Sequence, residues 1–376
     1  MIDSIYWQLN KEQFRVKDMG LFDGVGTKQF TGYSGKTLFC KKYAKDLKKR
    51  GIYFPMLEIA TEKRGYDLAP EVLNIQASLG KILYESNAFE PDGNDAPLIY
   101  EKAVKLLDTA GVETSASELK QTIIRKVDFS KVIILPVYFG LANQIILRLL
   151  NFNYKPSSEF DFVQYEEGQG CFIRFGNKTQ RYSIYDKIGE IYAKGYTKTE
   201  KTIIRAVELG EASRSALKFE LSYLRKDSFE KAMRTRIKDK DKDYFLEDIL
   251  SPELSKKILL KAFDSVFNSL AVGLISLSEM EENRLWAYLE KSGLSHTKQR
   301  DLFFWVRMAT KNGIAGTWGE INRKFKGGSI IRKRQEISLI LQELGTISGN
   351  IPNLIDFLRD AHEKFEIIKP KRNSYL

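Results

Sequence analysis

Tyr185, Lys187 and Glu190 set a phenol, an ammonium and a carboxylate at i, i+2 and i+5 of one short stretch, Arg181-Tyr-Ser-Ile-Tyr-Asp-Lys-Ile-Gly-Glu190. Read as a strand, this stretch turns Tyr182 and Ile184 to one face. Arg181, Ser183, Tyr185 and Lys187 then share the other. A phenol beside an ammonium and a carboxylate has the parts to cut DNA through a phosphotyrosine. A half-exposed strand with a solvated polar face accounts for the same residues, because tyrosine favours strands. Tyr182 falls on the apolar face and is assigned to the core.

Two further stretches alternate in the same way. Residues 121–134 set Ile124, Lys126, Asp128 and Ser130 against Val127 and Phe129, and residues 216–223 set Lys218, Glu220 and Ser222 against Leu217, Phe219 and Leu221. If these strands are neighbours in one sheet, Asp128, Tyr185 and Glu220 converge on one surface. Oxygen ligands of this kind suit Mg²⁺ or Mn²⁺ rather than zinc. Such an ion would polarise a scissile phosphate during in-line displacement. A free tyrosine ionises near pH ~10, so Lys187, a metal or a carboxylate would have to favour its phenolate. Attack by Tyr185 would leave a 5′ phosphate on the protein and a free 3′ hydroxyl. Plain solvation of Asp128 and Glu220, or salt bridges to Lys126 and Lys218, is the simpler alternative. Glu190 could equally cap a helix start, where carboxylates favour the dipole.

Only two histidines occur, His296 and His362, far apart and in no shared motif. A histidine-built metal site or a His-centred triad is thereby disfavoured. Cys40 and Cys171 form no CxxC pair, so neither a disulfide framework nor a zinc site is indicated, and a reducing cytoplasm fits. No segment has the length and apolarity of a membrane span.

The 376 residues carry a formal charge of +11 and are 43% apolar, a composition that favours a soluble protein with a polyanionic partner, nucleic acid first. Strand patterns cover 2–10, 33–42, 52–60, 73–78, 121–134 and 216–223, and a hairpin is predicted at 171–175 and 181–187 about Gly176-Asn177. Helical spacing covers 97–110, 137–151 and 198–209. From about 230–245 onward the periodicity is helical almost throughout, at 252–270, 278–291, 296–311, 331–345 and 351–366. The expected fold class is α+β: an antiparallel-sheet domain over 1–230 and an α-helical domain over 231–376.

The run Arg225–Lys242 holds eight cations, Arg234 and Arg236 among them, and four acids. It is a candidate phosphate-tracking element, or a solvated helix. Trp305, Trp318, Arg332, Lys333 and Arg334 mix aromatics with cations, as base stacking and phosphate binding need. Helix 296–311, then Gly313 and Gly316, then a further helical piece could form a helix-turn-helix-like DNA reader. Arg181, Lys126, Lys218, Arg234, Arg236, Arg332 and Arg334 are the candidate DNA contacts.

Short blocks in order add a resemblance. Met1-Ile-Asp, Pro55-Met-Leu-Glu-Ile, Ile75-Gln-Ala-Ser-Leu-Gly-Lys-Ile-Leu with Ser86-Asn-Ala-Phe, Ile124-Arg-Lys-Val-Asp128, Tyr185-Asp-Lys-Ile-Gly-Glu190 and Leu217-Lys-Phe-Glu-Leu run through residues 1–225. In this order the chain resembles the filamentous-phage replication endonucleases (gene II and gene X proteins) and, more loosely, plasmid rolling-circle initiators of the Rep_trans group. It departs from them in the two residues between Arg125 and Asp128, where the family more often has one, and in Lys218, where the family has Arg. The resemblance implies an endonuclease that nicks and rejoins one DNA strand to begin rolling-circle replication, with a divalent metal and a single-stranded or hairpin origin. It makes Tyr185 the nucleophile and Lys187 its electrostatic helper. Asp128, Glu190 and Glu220 become candidate metal ligands or proton acceptors. The partners of this reading are origin DNA, supercoiled duplex and a helicase. A conjugative relaxase of the same chemistry, or a DNA-binding replication regulator without catalysis, are its alternatives.

Overall fold

The computed structural model describes residues 1–17, 22–26, 37–41, 49–64, 67–136, 139–143, 145–146, 159–164, 170–237, 243–267, 282–346 and 354–370. The helix expected at 137–151, both ends of the strand expected at 33–42 and the end of the cationic run at 238–242 lie wholly or partly outside them.

The front of the chain builds β1 (Ile2–Asn10), β2 (Arg15–Val16), β3 (Phe22–Gly26), β4 (Thr37–Lys41), β5 (Met56–Arg64) and β6 (Asp67–Ser78). Then come α1 (Leu79–Tyr84), α2 (Ala96–Thr109), β7 (Val112–Glu113), α3 (Ala116–Lys120), β8 (Ile124–Ile134), β9 (Glu159–Gln164), β10 (Cys171–Gly176) and β11 (Gln180–Asp186). Next are α4 (Lys187–Lys194), α5 (Lys198–Glu208), β12 (Ala216–Tyr223), α6 (Lys226–Ile237) and α7 (Leu246–Ile249). The last are α8 (Pro252–Val266), α9 (Glu282–Lys291), α10 (His296–Lys324), α11 (Gly328–Thr346) and α12 (Leu354–Lys364). The fold is α+β. Its main sheet has ten strands in the order β3-β4-β5-β6-β1-β8-β12-β11-β10-β9, and β2 pairs with β7 apart from it. Neighbours in the main sheet run antiparallel.

Period-two alternation explains the strands. Ile5, Trp7 and Leu9 of β1, Leu73, Ile75 and Ala77 of β6, and Leu217, Phe219 and Leu221 of β12 all enter one continuous core. The β1–β8 pairing slips twice, between Ile2 and Ser4 and between Tyr6 and Trp7. The second slip pairs Trp7 with Ile124, and Ile124 is buried in the apolar core rather than on the polar face expected for it. A bulge re-aims side chains in this way, and strict alternation does not foresee it.

Helices cover the apolar face. The Trp7 and Tyr100 rings are 6.4 Å apart, which places α2 near β1. Phe219 of β12 meets Phe263 of α8 at 6.0 Å and His362 of α12 at 4.8 Å. Residues beyond the expected boundary at 230 therefore supply part of the sheet's own core. The tail continues the closure: the Glu90 and Ile368 backbones bond at 2.8 Å, and Lys131 bonds the Glu366 carbonyl at 2.5 Å and the Glu90 carboxylate at 2.8 Å. Further along, α10 runs unbroken for 29 residues through Gly313 and Gly316, so the helix-turn-helix expected there is not formed. Each interior glycine costs roughly 1 kcal/mol, which a long cooperative helix absorbs. Among the described residues no helix is long and apolar enough to cross a membrane.

His362 is fully buried, and its Nδ1 bonds the Leu358 carbonyl at 2.7 Å. Burial pushes its pKa down from 6.5 to about 4. In that window the unfolded chain binds a proton that the folded chain refuses, so stability falls as pH drops, by up to about 3 kcal/mol. Thermal melts should show a steeper loss between about pH 7 and pH 5 for the wild type than for His362→Leu.

Candidate functional site

β11 ends at Asp186, whose carboxylate accepts from the Gly189 amide at 2.9 Å and caps α4. Lys187 is thus the first residue of a helix and not the next step of the strand, which corrects its expected place. The turn still brings its ammonium to 6.0 Å from the Tyr185 ring centroid. There it donates to Asn87 Oδ1 at 2.5 Å and to Glu190 Oε2 at 2.7 Å. Burial lowers the Lys187 pKa against the pull of Glu190. For Glu190, burial opposes the shift, but the Lys187 ammonium outweighs it and holds the carboxyl below its ordinary range. Glu190 is therefore the counter-ion of Lys187, and the structure does not bring it together with Asp128 and Glu220 as a metal-ligand set.

Lys218 lies directly opposite Tyr185 in the β11–β12 register, its ammonium also 6.0 Å from the ring centroid. It donates to Asp3 Oδ1 at 2.6 Å and to the Asn87 carbonyl at 3.0 Å. Lys218 is 0% exposed, so the phosphate contact expected of it is corrected: the charge is an interior one. Asp3 reaches it because the first slip in the β1–β8 pairing falls between Ile2 and Ser4. Without that bulge, Asp3 would share the apolar face of Ile5 and Trp7. Burial works against ionisation of both partners, yet Lys218 holds the Asp3 pKa down, and Asp3 with Glu220 holds the Lys218 pKa up.

The Tyr185 hydroxyl donates to Glu220 Oε2 at 3.2 Å. Its ring is only 7% exposed, which corrects the expectation of a phenol standing on an open face. The polar face has two parts. Over Tyr185, Lys218 and Val132 it is roofed by α4, α5 and residues 88–89, whose Ile188, Ile191, Ile203, Val207 and Phe89 form a second apolar cluster with Val132. Toward β1 the face is half-buried, at Ser4, Tyr6, Gln8, Lys126, Asp128, Glu220 and Ser222. The Tyr185–Glu220 bond sits where the roof ends.

Asp128 and Glu220 are diagonal neighbours, opposite Ser222 and Ser130 respectively. Ser222 Oγ is 3.4 Å from Glu220 Oε1. Burial first, then the Asp3 charge, pushes the Glu220 pKa up to about 7. Burial and the charge of Glu220 push Asp128 well above the usual carboxylate range. Among the described residues neither acid is paired with an ammonium or guanidinium, whereas Asp3 and Glu190 each are. Two acids without counter-ions, with hydroxyls beside them, make an oxygen-only donor set that fits a divalent cation in charge and hardness. The fit is partial, because among the described residues no three His, Cys, Asp or Glu side chains form a metal-holding group.

The other candidate contacts are spread out. Lys126 faces Tyr6, its ammonium 4.9 Å from the ring centroid. Arg181 is half-buried opposite Ser222. Both share the face of Glu220. Arg332 is exposed on α11, and Arg334 on the same helix bonds Asn322 at 2.7 Å and lies 5.5 Å from the Trp318 ring. Arg234 and Arg236 belong to α6, and their side chains lie outside the described residues. Trp305 is 2% exposed and packs in the core, so it is no stacking platform, contrary to expectation. Sequence reasoning missed Asp3, Asn87 and Tyr6. Tyr6 could have been found from the alternation of β1; Asp3 and Asn87 depend on a bulge and a loop that leave no periodic signal.

Searches of protein-family models, of curated proteins and of solved structures find no match to this chain.

A pKa of about 7 against an ordinary 4.5 means that the folded state favours protonated Glu220. Its contribution is fully present below about pH 4.5 and is lost as pH rises through about 7. In chelator, Glu220→Gln should therefore gain stability over wild type at about pH 8 relative to pH 5, by up to about 3 kcal/mol in chemical denaturation.

Proposed function

We propose that this chain nicks one strand of DNA and rejoins it, with Tyr185 as the nucleophile. The observation that carries the reading is the Tyr185 hydroxyl donating to a carboxylate whose pKa is about 7, beside two buried ammonium groups. A base titrating near neutrality is matched to taking a proton at working pH. As Tyr185 Oη bonds to phosphorus, its proton passes to Glu220 Oε2. The bond from phosphorus to the 3′ oxygen breaks, and that oxygen takes a proton from water. Lys187 and Lys218 favour the negative charge that grows on the phenolate side of the reaction. Asp128, not the proton-accepting Glu220, would hold Mg²⁺ or Mn²⁺, which when bound would polarise the phosphoryl group. DNA would reach the hydroxyl across the half-buried part of the face, past Tyr6, Lys126 and Arg181.

In this reading the protein initiates rolling-circle replication in the cytoplasm, as the resemblance to phage and plasmid initiators suggests. The sheet performs the cutting and joining, and α9–α11 with Arg332 and Arg334 serve the origin or a partner such as a helicase. The 7% exposure of Tyr185 favours a second reading, a DNA-binding replication regulator in which the Tyr185–Glu220 bond is structural.

Incubation with supercoiled origin DNA and Mn²⁺ separates the two. The first expects nicked circles and a 5′ covalent adduct that Tyr185→Phe abolishes while DNA binding survives. Unchanged nicking by Tyr185→Phe, or an adduct on another tyrosine such as Tyr6, removes Tyr185 from the role.

A further inference from the structure

The loop after α1 carries a residue with three buried charges around it. Asn87 Oδ1 accepts from Lys187 at 2.5 Å, and its backbone carbonyl accepts from Lys218 at 3.0 Å. Its side chain also favours the ionised Asp3 carboxylate, which in turn holds Lys218 at 2.6 Å. One half-buried residue thus ties the two ammonium groups that lie 6.0 Å from the Tyr185 ring, Lys187 through its side chain and Lys218 through its backbone carbonyl.

The backbone sets the loop at this distance. A Cβ on Gly80 of α1 would lie 2.7 Å from the Phe89 carbonyl oxygen, 2.9 Å from that of Ser86 and 3.1 Å from Asn87 Cα. Only glycine lets residues 86–89 pass so close to α1. At the far end of the loop, Glu90 is pinned by the Val132 amide at 3.0 Å and by Lys131 at 2.8 Å.

We propose that Asn87 is a positioning residue that holds the Lys187 and Lys218 ammonium groups beside the Tyr185 ring. Left alone, a buried lysine would turn its ammonium toward whatever polar group or water it could reach, because desolvation without partners is costly. Asn87 supplies an acceptor to each lysine and removes that freedom. Its carboxamide is neutral, so it orients Lys187 without cancelling the charge as a second carboxylate would. The consequence for rate rests on the nicking reading; the holding of the lysines does not.

Two measurements test this on the full-length protein. In protein labelled with ¹⁵N-lysine, hydrogen-bonded interior ammonium groups give separate NMR signals, and Lys187→Met identifies that of Lys187. Asn87→Ala should shift or erase the Lys187 signal. Asn87→Ser, too short to reach Lys187 but gentler on the loop, should do the same. Ser86→Ala, which loses only the 3.2 Å bond to the Ala88 amide, should leave it in place. In single-turnover nicking, Asn87→Ala should slow the chemical step on the order of 100-fold at unchanged DNA affinity. The Asn87→Ala/Lys187→Met double variant should be no slower than Lys187→Met alone, because Asn87 acts through that lysine.

A Lys187 signal that stays put in both Asn87 variants overturns the proposal. So does a double variant slowed by the full product of the single effects, or a loss confined to DNA binding. A wild type that shows the Asn87-dependent signal but cuts no DNA overturns the nicking reading and leaves the positioning role standing.

Discussion

The buried Lys218–Asp3 pair is the constraint around which the site is arranged. It joins β12 to β1 across the intervening β8, with the lysine fully enclosed. Taking two charges from water costs several kcal/mol each, and their attraction offsets this only with close geometry and further hydrogen bonds. The 2.6 Å contact and the Asn87 carbonyl at 3.0 Å supply both. Lys187 with Glu190 repeats the arrangement one strand further on. Each of these two ammonium groups has its own carboxylate; among the described residues Asp128 and Glu220 have no ammonium or guanidinium partner, and burial raises their pKa values. The raised pKa of Glu220 reflects its burial and the nearby Asp3 charge.

The same arrangement explains why Tyr185 is enclosed. Apolar side chains of α4, α5 and the loop after α1 pack into a roof over the paired charges, which excludes water at a desolvation cost that the pairing offsets. Thr197 caps α5 and bonds the Glu85 carbonyl at 2.6 Å, while Lys81 meets Glu200 at 3.0 Å, so roof and loop are tied to each other. The tail reaches the loop too, through Glu90 and Ile368. The Tyr185 hydroxyl thus sits at the lip of a covered region, where it meets a half-buried polar surface.

Much of the sheet is legible in the residues themselves. Alternation at 2–10, 73–78 and 216–223 announces strands with one apolar face, because a side-chain period of two leaves no other way to bury Leu73 with Ile75 or Leu217 with Phe219. It also puts Tyr182 in the core, and Tyr185 and Glu220 on a common side. The helical texture after residue 245 follows from spacing near 3.6. Spacing could not say that α8 and α12 return to the sheet, since an amphipathic helix announces an apolar face and not its partner.

The amino-acid order by itself determined the α+β class, the run of strands and the polar faces on which Tyr185 and Glu220 lie, all of which follow from local periodicity; that their two strands are neighbours came from the tertiary structure. Tertiary structure alone decided which charges neutralise one another. Asp3 turns to Lys218 through a bulge, Asn87 arrives from a loop about 100 residues before Lys187, and Glu190 swings to Lys187 only because Asp186 starts a helix. Ion pairing in the interior depends on distances of a few ångströms between segments far apart in the chain, and no local pattern encodes those distances.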